Sequence, residues 1–150
     1  MLIRVLRPAT EADLADLVRL ARAFYDEDGF RTGDDDLRAR FGVLLHDSDA
    51  NITVATESGA TVGFALTTTR LILESGLAAE LQDLYVRPEH RRQGIGAALI
   101  GDAEQWARAR SATLLEVVVA PNGRDVSHLH RYYGALGYVD EGRQILSRDL

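Results

Sequence analysis

The sequence predicts a mixed α/β sheet, and two stretches predict it. "AELQDLYV" reads as a strand, Gly94 to Arg110 as a helix and "TLLEVVVA" as another strand. A strand, a crossover helix and a second strand make a parallel pair. Before them, "NITVAT" and "TVGFALTTT" alternate apolar and polar residues around "ESGA", the signal of an antiparallel hairpin. Hairpins on either side of one crossover exclude a doubly wound sheet. The 150 residues suffice for one domain, 1–150, with a real core and hardly for two.

The expected order is β-α-α-β-β-β-α-β-α-β-β. "MLIRVL" is a short first strand, closed by Pro8. Thr10 followed by Asp13 has the spacing of a helix N-cap with an acidic first turn. Leu14, Leu17, Val18, Ala21 and Phe24 then recur at helical spacing, so the first helix runs to about Tyr25. "DEDGFRTGDDD" is a polar loop, and Asp34 to Asp36 start a second helix with Leu37, Phe41 and Leu44 on one face. The hairpin and the crossover follow, the crossover helix burying Ile95, Leu99, Ala103 and Trp106. Asp125 caps a last helix whose inward face holds Val126, Leu129, Tyr133 and Leu136, and Gly137 ends it in a left-handed conformation. "YVDEG" and "RQILSRDL" form a closing hairpin.

Composition narrows the function classes. Hydrophobic residues make up 46% and charged residues 27%, the balance of an ordinary globular protein. There are no cysteines, which excludes disulfides, thiolate metal sites and a cysteine nucleophile. No apolar run is long enough for a membrane span, and "MLIRVLRPAT" lacks the basic-then-apolar pattern of a signal peptide, so a cytoplasmic protein is expected. Seventeen basic against 23 acidic residues give a net charge of −6. That argues against nucleic acid as a partner, which needs clustered Lys and Arg. It is compatible with a cationic substrate, though plain solubility accounts for it more simply. His128 and His130 are two apart on a helix and face different sides, and His46 and His90 have no ligand-like neighbours, so no metal is expected. No serine stands in G-x-S-x-G, which leaves a serine hydrolase unsupported.

The segment "VRPEHRRQGIGAAL" carries the chemistry. Gly94 and Gly96 let the backbone approach a ligand closely. The amides of Arg92 to Ala97 lie at a helix start, where N–H groups lack internal partners and the dipole is positive. Arg91 and Arg92 add full charges. The combination is an anion site that suits a diphosphate. A solvated glycine turn is the plain alternative. A dinucleotide fold would place G-x-G-x-x-G after its first strand, and a Walker loop would need a lysine that is absent here.

"LQDLYVRPEHRRQGIGAALI" resembles motif A of the Gcn5-related N-acetyltransferase (GNAT) superfamily, Q/R-x-x-G-x-G/A, with Arg91, Gly94 and Gly96 at the named positions. "YYGALGY" resembles the family's Y-x-x-x-G-F/Y, with Tyr133 and Gly137-Tyr138 in place. The wording from Leu81 to Gly96 is nearest to diamine and thialysine acetyltransferases. The resemblance implies the GNAT acyl-CoA N-acyltransferase fold, acetyl-CoA as co-substrate without a metal, and a small primary amine as acceptor. A homodimer is compatible with it. It also implies roles. The backbone of Leu84, Tyr85 and Val86 would pair with the pantetheine arm in an opening between the fourth and fifth strands, and a backbone N–H there would stabilise the oxyanion. The amides of Arg92, Gln93, Gly94, Ile95, Gly96 and Ala97, beside Arg91, would hold the pyrophosphate. Tyr133 would be the acid for the departing thiolate, with a core aromatic as its alternative.

The chain departs from its relatives at two places. Diamine acetyltransferases read L-E-D where this chain reads Leu81-Gln82-Asp83. Gln82 accepts no proton but could orient a water or an amine. Glu80, two residues earlier on the same strand face, is the preferred carboxylate, while strand alternation turns Asp83 to the other face, where it serves a structural hydrogen bond. Glu74 in "LILESG" is a second candidate, and a water chain with no single base a third. Many members place Asn seven residues before the tyrosine, where this chain has Val126. Asn122 in "APNGRD" either reaches the CoA arm from a longer loop or that contact is missing. Tyr25, Asp26, Asp28 and Asp34 to Asp36 could attract an ammonium group or simply be solvated. A non-catalytic acyl-CoA-binding or regulatory domain is the rival reading, resting on Gln82. Acetylation of a protein or peptide amine is the third.

Overall fold

The computed structural model describes residues 3–120 and 124–150, which divide into two units, one ending at Val118 and one beginning at Val119. In the first unit the strands β1 (Arg4–Pro8), β2 (Ala50–Glu57), β3 (Ala60–Ile72), β4 (Gly76–Val86) and β5 (Leu114–Val117) form one sheet in sequence order. Its helices are α1 (Leu14–Asp28), α2 (Asp34–Leu44) and α3 (Ile95–Ala109). Neighbouring strands are antiparallel except β4 and β5, which are parallel across the α3 crossover. No helix among the described residues is long and apolar enough to cross a membrane.

The sheet is covered on both faces. Leu17, Val18, Leu20 and Ala21 of α1 and Leu37 and Phe41 of α2 pack on Ile52, Val54, Phe64, Leu66 and Tyr85. The opposite face carries α3, whose Leu99 reaches the Gly63 and Val86 pair. The buried stripe of α3 is Ile95, Leu99, Ala103 and Ala107, with Ile100 beside it. Trp106, expected in that stripe, lies only half-buried under the Arg110 guanidinium, 5.0 Å from its ring centre. The i+4 step from Ala103 puts Ala107 over the sheet, and a small residue lets the helix end pack closely. Helix α1 runs almost a turn beyond Tyr25 because Gly29, at φ 81, closes it with an N–H to the Tyr25 carbonyl.

Two details of β4 position the site. Leu66 pairs with Asp83 and Thr67 with Leu81, so Gln82 is an extra residue, a β-bulge. At the end of β4, a Cβ on Gly63 would stand 2.8 Å from the Tyr85 carbonyl oxygen. Gly63→Ala should therefore cost about 1–3 kcal/mol and lower Tm by several degrees in a thermal melt. An unchanged Tm would mean that β3 and β4 separate there without strain.

In the second unit α4 (Ser127–Ala135) begins where the Asp125 carboxylate accepts the Ser127 N–H at 2.9 Å. It ends at Gly137, φ 94, with the Tyr138 N–H on the Tyr133 carbonyl at 3.0 Å. The element order through α4 is the expected one. Beyond it, residues 138–150 carry no strand. A turn between the two segments does form, the Asp140 carboxylate accepting the Gly142 N–H at 2.8 Å. A strand needs a partner as well as alternation, and Val139, Ile145, Leu146 and Leu150 stay exposed.

Candidate active site

The pairing of β4 with β5 stops at Leu81 and Val117, while β4 continues to Val86. The sheet therefore opens between these strands. The Arg87 N–H donates to the Val62 carbonyl at 2.9 Å. By the alternation of an antiparallel ladder, Tyr85 also bonds toward β3, whereas Leu84 and Val86 turn their N–H groups to the open edge. Of the three residues expected to pair with an arm, two thus present backbone donors there. Tyr85 contributes its ring to the other face, stacked 5.4 Å from Phe24.

A tight turn follows the open edge. Pro88–His90 form a single 3-10 turn, then Arg92 and Gly94 adopt left-handed conformations at φ 62 and φ 82. The first helical hydrogen bond of α3 runs from the Ala98 N–H to the Gly94 carbonyl, 3.0 Å. The N–H groups of Ile95, Gly96 and Ala97 precede it and have no partner inside the helix. A run of main-chain amides around left-handed residues forms a concavity for anions, reinforced by the helix dipole. Nothing lies within 4 Å of a Cβ built on Gly94, so its backbone angle, not space, requires glycine there. Arg91 has partners within the protein as well. Its Nε donates to the Val86 carbonyl at 2.8 Å, and Nη2 donates to both Glu27 oxygens at 3.1 and 2.8 Å. The guanidinium lies 5.4 Å from the Tyr85 ring centre, and the Tyr85 hydroxyl donates to Glu27 at 3.3 Å. Arg91 thus ties the end of β4 to α1, and Glu27 offsets its charge.

The bulge overturns one expectation about the strand. Leu66 and Thr68 share a face of β3, and their partners are Asp83 and Glu80. Asp83 therefore lies on the same face as Glu80, because the extra residue Gln82 shifts the alternation by one. It is the face that α1 covers, and the Tyr25 hydroxyl donates to Asp83 Oδ1 at 2.7 Å. Gln82 is exposed and donates through Nε2 to the Thr68 hydroxyl at 2.7 Å, which leaves its carbonyl oxygen as an acceptor. Glu80 accepts from Arg70 Nη1 at 3.4 Å, and Arg70 Nη2 also donates to Glu116 at 2.8 Å. Burial raises the Asp83 carboxyl above its ordinary value, and the negative charges of Glu80 and Asp28 push the same way against the Tyr25 hydrogen bond. The Tyr25 phenol is raised as well, by burial first and then by Asp83. A carboxylate in that condition is an improved proton acceptor and a counter-charge for an ammonium group.

The other expected residues are more dispersed. Asp26 is exposed on α1 and accepts from Arg22 at 3.3 Å, one turn away. Glu74 stands at the tip of the β3–β4 hairpin, whose last pair is Ile72 and Gly76. Gly76 and Asp83 are seven residue steps apart along β4, about 23 Å at most at the rise of a strand. Tyr133 belongs to the second unit, half-buried on α4, with its ring edge-on to Tyr132 at 5.3 Å and to Tyr138 at 5.7 Å. Burial, helped by Tyr132, pushes its phenol up to about 12. Asn122 lies outside the described residues. His90 pairs with Glu57 and His46 with Glu11. No group of three metal-ligating side chains occurs among the described residues.

Sequence reasoning missed Asp83 as a member of this cluster and Glu27 altogether. The signal for Asp83 was present: Gln82 and Asp83 are consecutive polar residues, which breaks the alternation of Glu80, Leu81 and Gln82 in mid-strand. Glu27 is 64 residues from Arg91, and nothing local in the sequence joins them.

The Acetyltransferase (GNAT) family pattern matches residues 14–138. An uncharacterized N-acetyltransferase of Archaeoglobus fulgidus is 33% identical over 134 residues, covering 87% of this chain and 89% of its own. The aminoalkylphosphonate N-acetyltransferase of Salmonella typhimurium is 31% identical, covering 86% of this chain and 78% of its own. A crystallised aminoglycoside N-acetyltransferase in complex with CoA shares the fold, with a TM-score of 0.85, 18% identity and coverage of 99% of this chain and 96% of that one. With the family pattern spanning most of its length and a relative this similar over nearly the whole of both chains, this chain belongs to the acetyltransferase (GNAT) family.

Proposed function

We propose that this chain transfers an acetyl group from acetyl-CoA to the primary amine of a small molecule, by direct attack while both are bound. One observation carries the reading: the unpaired edge of β4 leads directly into the unpaired amides after Gly94. An extended amide-bearing arm fits the first, and a diphosphate fits the second. The amides of Arg92 to Ala97 hold the diphosphate, and Leu84 and Val86 offer N–H groups to the arm and to the thioester oxygen as it gains charge.

The acceptor side is the acidic face of β4. An amine is protonated near neutral pH, its reference pKa being about 10, and must lose a proton before it attacks. Asp83, raised by burial, takes that proton, and Glu80 beside it holds the approaching cation. Gln82 accepts a hydrogen bond from the same amine through its carbonyl oxygen. Tyr25 fixes the orientation of Asp83, and Asp26 adds negative charge at the rim. The amine nitrogen bonds to the carbonyl carbon, the carbon–sulfur bond breaks, the sulfur takes a proton from the Tyr133 hydroxyl, assigned on its motif position, and the second proton of the attacking nitrogen restores that hydroxyl through solvent. Asn122 is assigned to the CoA arm, and Glu74 to the far end of a longer acceptor.

The named relatives support a small acceptor, since aminoalkylphosphonates and aminoglycosides are both small amines. A regulatory domain without activity has less support than the sequence alone offered it, because Asp83 supplies a carboxylate on the face where Gln82 could not. The test is CoA thiol release across diamines, aminoalkylphosphonates, aminoglycosides, amino acids and short peptides, beside a thermal shift with acetyl-CoA. Release with one class of small amine is the expected result. Stabilisation without release from any amine would overturn the enzyme reading, and release with peptides alone would move the acceptor to proteins.

A further inference from the structure

The turn that holds the unpaired amides is itself held from behind, by residues that begin on β1. Arg4 and Glu57 are register partners on β1 and β2. Arg4 Nη2 donates to Glu57 Oε1 at 3.2 Å and to the Gln93 side-chain oxygen at 2.9 Å. Arg4 Nη1 donates to the Gln93 main-chain carbonyl at 3.1 Å. The Glu57 side chain is only 5% exposed, and its second oxygen lies 2.6 Å from His90 Nδ1. One buried carboxylate therefore grips the turn at both ends, at His90 directly and at Gln93 through Arg4.

Between these two grips lies Arg92, a non-glycine residue at φ 62, and immediately after them Gly94 at φ 82. A left-handed conformation in a residue with a side chain persists only where its surroundings enforce it. The peptide plane adds a directional argument. The C=O and N–H of a trans peptide point in opposite directions, so fixing the Gln93 carbonyl on Arg4 also fixes the Gly94 N–H, away from Arg4. We infer that Arg4 and Glu57 are positioning residues of the diphosphate turn: they set its affinity without touching the ligand. The inference rests on the reading of that turn as a diphosphate cradle.

Pantetheine shares the arm of CoA and lacks its diphosphate and 3′-phosphoadenosine, so a loss confined to CoA lies on the side of the cofactor that the turn would hold. Dissociation constants of CoA and of pantetheine would be measured for the wild type, Arg4→Met, Arg4→Lys and Gln93→Ala. Arg4→Met should weaken CoA about tenfold, the worth of one hydrogen bond to a charged group, and leave pantetheine unchanged. Arg4→Lys keeps a charge for Glu57 but cannot fork to both Gln93 oxygens, so it should recover only part of that loss. Gln93→Ala keeps the main-chain amide and should weaken CoA by about threefold, which carries the test if Arg4→Met fails to fold. Equal losses for both ligands, or no loss for CoA in a folded variant, would overturn the inference. A wild type that binds pantetheine and CoA equally would overturn the cradle itself.

Discussion

Asp83→Asn is expected to lower turnover by about 10²-fold, some 2.7 kcal/mol at the transition state, while raising the melting temperature. The two effects come from the same cause. Burial raises the Asp83 carboxyl, so its ionised form is costly in the folded protein, and that basicity is what the proposed mechanism uses to take a proton from the amine. Asparagine keeps the shape, and its carbonyl oxygen still accepts the Tyr25 hydroxyl, but it cannot take a proton. The sign follows from linkage. A carboxyl whose folded pKa lies above its unfolded value binds its proton more tightly when folded, so stability falls as pH rises through the folded pKa. The wild type therefore carries this cost at neutral pH and sheds it in acid. Asp83→Asn should be the more stable protein at pH 7, with the gap closing as pH falls through the raised folded pKa to the ordinary carboxylate value. Activity should rise with pH along a limb that the variant lacks. A variant that loses stability together with activity would make Asp83 a structural partner of Tyr25 and leave Glu80 as the proton acceptor.

This assignment also marks where the sequence stopped being legible. The turn at Gly94 could be read because its chemistry imposes a local demand: a left-handed angle of φ 82 favours glycine, and the amides that follow are unpaired in any helix start. The order of elements through α4 was readable for the same reason, since period and caps are local. The face of Asp83 was not, because a single inserted residue, Gln82, reverses every alternation argument beyond it, and a bulge is fixed by pairing with β3. The partner of Arg91 was illegible for a related reason. Glu27 on α1 engages Arg91, a contact made only by packing α1 over the end of β4. Trp106 and Ala107 make the same point at lower stakes, since helical period allows either one onto the sheet and packing distance decides.

Tyr133→Phe is the second large effect, a fall in turnover of about 10²-fold with acetyl-CoA affinity and Tm nearly unchanged. The ring survives the substitution, so the edge-on contacts with Tyr132 and Tyr138 remain, and removing one oxygen from a half-buried position leaves packing almost intact. What disappears is the hydroxyl. With its phenol pushed up to about 12, Tyr133 is neutral at any practical assay pH, so it is always able to donate. Its removal should therefore scale the whole pH–rate profile down without moving the limb assigned to Asp83. The two variants thus leave different signatures, a lost limb for Asp83→Asn and a lowered plateau for Tyr133→Phe. A core role, served by the ring alone, predicts a different pair of results, turnover retained with Tm again nearly unchanged. If Tyr133→Phe gave that pair, the sulfur would have to draw its proton from solvent, and the match of "YYGALGY" to the family motif would reflect packing of α4 alone.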